Sequence, residues 1–159
     1  MRGWLLDTNV IASLTAENGA PSVKAWASTQ DESRLFLSVL TLAEYDKGVH
    51  QLAESDPRRP RYAAGRDLLE ARFAGRVLPL TDAVVRRWGA LAGRIKRDTG
   101  APPSVIDTML AATALEAGLY LATRNVKDVR HSGAVIFNPW EDDPQGFPLS
   151  DKTHPFRRP

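Results

Sequence analysis

Residues 4–14 read WLLDTNVIASL. A short apolar run of strand character ends at a carboxylate, Asp7. The apolar residues that follow, Val10, Ile11 and Leu14, recur at helical spacing. The stretch predicts a buried strand that turns at once into a helix. A carboxylate in so apolar a segment is costly unless it is hydrogen-bonded, paired or bound to a cation. Two readings of Asp7 stand at this point: the N-cap of the helix, or a group at a strand end that holds a ligand.

Working outward, four more apolar, β-prone segments follow: RLFLSVL (34–40), RVLPL (76–80), LYLAT (119–123) and AVIFN (134–138). Between them lie helical patterns. PSVKAWAS (21–28) carries proline in its first turn. From Thr41, Leu42, Tyr45, Val49 and Leu52 recur at helical spacing. After the proline-broken connection ESDPRRPRY, a helix runs over 63–73. A further helix over 82–96 has the stripe Val84, Val85, Trp88, Leu91 and Ile95, and TGAPPS separates it from a last helix over 106–117, closed by Gly118. Strands alternating with helices predict an α/β/α domain over 1–140, with a mostly parallel sheet of about five strands. Residues 141–159, rich in proline and charge, are expected to be an extended or partly disordered tail.

The bulk properties narrow the classes. A chain of 159 residues fits one domain, large enough to bury about 68–70% of its unfolded surface. With no cysteine there is no disulfide, zinc–thiolate site or thiol nucleophile. A net charge of +2 is too small to argue nucleic-acid binding on its own. No run approaches the roughly 18 apolar residues of a membrane span, so no membrane partner and a cytoplasmic location are expected.

Ligands of open parallel sheets bind outside the carboxyl ends of the strands, where strand order reverses. Asp7 ends the first strand, Glu44 lies early in the helix after the second, and Asp107 opens the helix before the fourth. Each has a structural alternative. Asp7 fits an N-cap, Thr41-x-x-Glu44 is a capping-box pattern, and Ser104-x-x-Asp107 is a weaker version of it. Yet Asp107 shares its helical face with Leu110, Ala111 and Ala114, and Glu44 has Gly48 one turn on, which leaves room for a ligand. Asp46, rotated by about 200° from Glu44, reads as a solvated charge. Three inward carboxylates raise one another's pKa values unless a cation joins them. An all-oxygen set suits Mg2+ or Mn2+ and points to metal-assisted phosphodiester hydrolysis.

DTNV at 7–10, LAEYDKG at 42–48, DTMLAATAL at 107–115, ATRN at 122–125 and FNPW at 137–140, in this order, resemble the PIN domain, and within it the VapC-type and FitB-like toxins of bacterial toxin–antitoxin pairs. The resemblance spans residues 3–140. It implies a Mg2+- or Mn2+-dependent endoribonuclease, a homodimer that also forms a hetero-oligomer with a cognate antitoxin, touching operator DNA only through that antitoxin. It makes Asp7 and Asp107 the principal metal ligands, with Glu44 completing the site directly or through water. Thr8 and Asn9 would support the geometry by hydrogen bonds, with Thr123 beside them. Many members carry a fourth acid where this chain has Asn125, which puts a second metal in question; Asp128, three residues on, is the substitute to test.

The remaining candidates are weaker. Arg58, Arg59, Arg61 and Arg66, and the RIKR run at 94–97, form solvated faces or contact RNA phosphates. His50, His131 and His154 lack metal-ligand spacing, and no serine has a histidine base nearby in the pattern. The four tryptophans read as core. Two other functions are consistent with the pattern: a phosphatase with a nucleophilic Asp7, against which Asn9 stands where that chemistry needs an acid, and a catalytically degenerate PIN domain that only binds antitoxin and DNA.

Overall fold

The computed structural model describes residues 1–150. The end of the expected tail, 151–159, and His154 within it, lie outside the described residues. Five strands form one parallel sheet: β1 (Trp4–Leu6), β2 (Leu35–Ser38), β3 (Val77–Leu78), β4 (Tyr120–Ala122) and β5 (Ile136–Phe137), in spatial order β3-β2-β1-β4-β5. The helices are α1 (Thr8–Thr15), α2 (Pro21–Ser28), α3 (Val39–His50), α4 (Arg59–Arg72), α5 (Asp82–Thr99), α6 (Val105–Ala117) and α7 (Val126–Val129).

The pleat sorts the strand residues onto two cores. Trp4 and Leu6 of β1, Leu35 and Leu37 of β2, and Tyr120 and Ala122 of β4 join Val10, Val23, Trp26, Leu42 and Leu69 from α1–α4. Leu5 and Leu121 point the other way, onto Leu91 and Ile95 of α5 and Leu110, Ala111 and Ala114 of α6. Burial on both faces explains why the strands read as continuous apolar runs. The first core centres on an aromatic group, with Trp4 edge-on to Trp26 at 5.3 Å and 4.7 Å from Phe137.

Helix ends follow local chemistry, with three departures from expectation. Ser38 caps α3 by accepting from the Leu40 N–H at 3.2 Å, so the helix starts before Thr41 and the Thr41–Glu44 capping box does not form. Thr41 is instead fully buried inside the helix. α4 begins at Arg59 rather than near 63, because Pro60 in a first turn lacks only an N–H that has no helical partner there. Residues 141–150, expected outside the core, fold back onto it. Phe147 packs on Phe137 at 4.9 Å and on Tyr120 at 5.3 Å, and the Ser150 N–H donates to the Met1 carbonyl at 2.8 Å.

Gly118 ends α6 with φ +63°, a conformation that favours glycine, and delivers the chain into β4. Gly3 is required by close approach, since a Cβ there would lie 2.3 Å from the Arg34 carbonyl oxygen just before β2. Strand order reverses around β1, which pairs with β2 on one side and β4 on the other. The β1–β4 carboxyl ends are therefore the topological switch point, where this class of sheet opens a crevice.

Candidate active site

Asp7 follows β1 directly. Its N–H continues the β1–β4 ladder to the Ala122 carbonyl at 3.0 Å, so the strand pairing fixes where the side chain starts. One carboxylate oxygen caps α1, accepting from the Thr8 N–H at 2.6 Å. The other accepts from the Thr123 hydroxyl at 2.6 Å and from the Asn9 amide. The N-cap reading of Asp7 holds: one oxygen serves the helix, while the other is held by Thr123 and Asn9.

Thr123 is the junction. Its single O–H goes to Asp7, and its oxygen accepts from the Asn9 amide at 3.2 Å and the Asn125 N–H at 2.9 Å, which uses its full hydrogen-bonding capacity. Asn9 closes the set, its Oδ1 accepting from the Arg124 N–H at 3.2 Å. Although three donors stabilise its charge, burial lifts the Asp7 pKa above the ordinary 3.8, and the negative charges of Asp107 and Glu44 push it further up. Asp7 is only 5% exposed.

Glu44 lies in α3 and accepts from the Thr8 hydroxyl, so Thr8 ties α1 to α3 at the pocket. Above it, Gly48 faces open space, with nothing within 4 Å of a Cβ placed there. Asp107 sits in the first turn of α6, where its N–H donates to the capping Ser104 hydroxyl at 3.5 Å. Its carboxylate accepts from the Asn125 amide at 3.5 Å, a bond at the limit of useful geometry. Asn125 thus meets the site through both its backbone and its side chain.

The structure brings Asp7, Thr8, Asn9, Glu44, Asp107, Thr123 and Asn125 into one neighbourhood. Among the described residues, however, no three acidic, histidine or cysteine side chains stand close enough to ligate one ion jointly. The donor set still fits a hard cation held by one or two carboxylates plus water. It is all oxygen, and the same Asp107 and Glu44 charges that raise the Asp7 pKa are the charges a cation would offset.

The other predicted residues lie elsewhere. Asp128 is exposed on α7 and forms no side-chain hydrogen bond to the site. Arg58 pairs with Asp56 at 2.8 Å and Arg59 with Glu54 at 4.0 Å, while Arg66 bridges Asp46 at 2.7 Å and Glu70. Asp46 is therefore an ion-pair partner of α4 and not a free solvated charge. Arg61 is exposed, with no ion pair among the described residues. Sequence reasoning missed Arg124, which lies between two site residues. Its place inside ATRN was the only available signal.

The PIN-domain family model matches residues 4–130. The chain belongs to the PIN-domain family. It is similar to the VapC ribonuclease Y4jK of Sinorhizobium fredii, at 33% identity over 141 residues, covering 86% of this chain and 97% of the relative. It is also similar to Toxin FitB of Neisseria gonorrhoeae, at 30% identity over 138 residues, covering 87% and 99%. Among solved structures, FitAB bound to the IR36 DNA fragment aligns with a TM-score of 0.78 at 28% identity, over 88% of this chain and 97% of that one. This PIN domain thus carries its acidic pocket at the switch point of a five-stranded parallel sheet, with Asp7, Glu44 and Asp107 contributed by three separate elements.

Proposed function

We propose that the protein is the toxin of a type II toxin–antitoxin pair and acts as a Mg2+- or Mn2+-dependent endoribonuclease. The observation that carries this reading is the buried Asp7 carboxylate, held by Thr8, Asn9 and Thr123 at the β1–β4 switch point and facing Asp107 and Glu44. Relatives named as a ribonuclease and as a toxin support it.

Asp7 and Asp107 would hold the cation, with Glu44 reaching it through water, since Glu44 is already engaged by the Thr8 hydroxyl. When bound, the cation supplies Lewis acidity at a phosphoryl oxygen and acidifies water near neutral pH. This chain's residues do the rest. Thr123 and Asn9 fix the orientation of the Asp7 carboxylate at the carboxyl end of β1. Thr8 fixes Glu44, whose carboxylate would orient the attacking water and take its proton. Asn125 steadies Asp107 without adding a negative charge. One metal fits this acid count better than two.

Similar solved structures, FitAB bound to a DNA fragment and FitAcB from Neisseria gonorrhoeae, support an antitoxin partner, which would contact any operator DNA on the toxin's behalf. A homodimer and a cytoplasmic site of action complete the proposal; no helix among the described residues is long and apolar enough to cross a membrane. The neutral, exposed Asn125 favours one competing reading, a degenerate domain that binds antitoxin without cleaving RNA.

Cleavage of a panel of tRNA and rRNA by purified, antitoxin-free protein separates the two. The nuclease reading expects cuts in Mg2+ or Mn2+ that vanish in EDTA and with Asp7→Asn. Folded, metal-binding protein that leaves the whole panel intact would favour the degenerate domain.

A further inference from the structure

Many arginines among the described residues are ion-paired, whereas Arg124, like Arg61, is not. Arg58, Arg59, Arg66, Arg86, Arg87 and Arg97 each meet a carboxylate. Arg124 is exposed and meets none among the described residues; its guanidinium lies over the Trp140 ring, 5.2 Å from the centroid. The acids next to Trp140 form no ion pair with it, and each bonds within its own turn. Glu141 accepts from the Asn138 amide at 3.1 Å and Asp142 from the Asn138 N–H at 2.7 Å. A free cation therefore stands at the rim of a pocket whose other charged groups are carboxylates.

The backbone ties that cation to the site. The Arg124 N–H donates to Asn9, whose amide holds Asp7, and the residues on either side of Arg124 contact Asp7 and Asp107. Trp140 is half-buried against the core at the end of β5, so its ring is a fixed platform. A guanidinium stacked by its face keeps the N–H donors along its edge free, and stacking restricts a side chain that would otherwise lose more freedom on binding. That edge matches the geometry of a phosphodiester. A polyanion approaching three carboxylates also needs positive charge beside them.

We propose that Arg124, stacked on Trp140 at the rim of the acidic pocket, binds an RNA phosphate next to the one being cleaved. This rests on the reading of the pocket as a ribonuclease site and names a binding residue for it. The contact is electrostatic and carries no sequence preference of its own.

The test is binding of a short, mixed-sequence, single-stranded RNA to the whole protein, followed by fluorescence anisotropy in EDTA across about 50–200 mM salt. Arg124→Ala should weaken binding about five- to tenfold at the low-salt end and reduce the slope of log K against log salt by about 0.7, the value for one phosphate contact on a single strand. Arg124→Lys should keep the slope while binding more weakly than wild type, because it restores the charge without the planar fork. Unchanged affinity and slope in Arg124→Ala would overturn the proposal and leave the cation for an acidic protein partner. Lost affinity with an unchanged slope would overturn it too, because Arg124 would then be structural. Binding with the expected dependence, but no cleavage once Mg2+ is added, would sink the nuclease reading and leave the phosphate contact standing.

Discussion

Replacing Thr123 by valine removes one hydroxyl and almost no volume. The structure gives the consequences bond by bond. Asp7 loses the 2.6 Å donor that does most to stabilise its charge, while the Asn9 amide and the Asn125 N–H lose a shared acceptor. A hydrogen bond to a charged group is worth about 1.5–3 kcal/mol. Since about 1.4 kcal/mol is tenfold in an equilibrium constant, a cation that needs Asp7 ionised and correctly turned should bind roughly 10- to 100-fold more weakly, the range typical of groups that orient a metal ligand. Calorimetric titration of Mn2+ near neutral pH reads this directly. Thr123→Ser, which keeps the hydroxyl, should stay within about threefold of wild type. Thr123→Val binding Mn2+ as tightly as wild type would refute the claim that this hydroxyl positions Asp7 for a metal.

Further outcomes follow from other residues. Burial raises the Asp7 pKa, so in EDTA the ionised group opposes folding fully above its folded pKa, and the penalty is relieved as pH falls toward 3.8. The melting temperature of wild type relative to Asp7→Asn should therefore climb as pH is lowered through that window; a flat difference would contradict the raised pKa. Asp128→Ala should leave metal binding and RNA cleavage within about twofold of wild type, because that side chain is exposed and touches no site residue; a tenfold loss would make it part of the site. Trp4→Ala should cost about 3–5 kcal/mol in urea unfolding, given a side chain 1% exposed among Trp26, Tyr120 and Phe137; a loss under about 1 kcal/mol would contradict the aromatic core.

The sheet was legible because strands buried on both faces leave continuous apolar runs, as in WLL and LYLA, and because each run is followed by a helix period. The approach of Glu44 and Asp107 to Asp7 was legible from the strand-end rule together with the helix faces. Their spacing was not, and it is too wide for the three to hold one ion jointly. What did not show was competition between nearby polar residues. Ser38 and Thr41 both suit a cap. Ser38 takes it because the strand ends there, which buries Thr41 and leaves Glu44 to Thr8. The pairing of Arg66 with Asp46 joins two helices across 20 residues, and the stacking of Arg124 on Trp140 joins the ends of β4 and β5. Neither leaves a local pattern. The packing of 141–150 onto the core was hidden for a related reason: proline and charge content masked Phe147, an aromatic residue that fills the end of the core.

The central claim is that the Asp7–Asp107 carboxylates hold a divalent cation. Crystals soaked in Mn2+, with diffraction recorded at the manganese edge, test it most directly. A single anomalous peak within bonding distance of both carboxylates is the expected result. A peak elsewhere in the domain, or none at these carboxylates in protein that binds Mn2+ in solution, would contradict it.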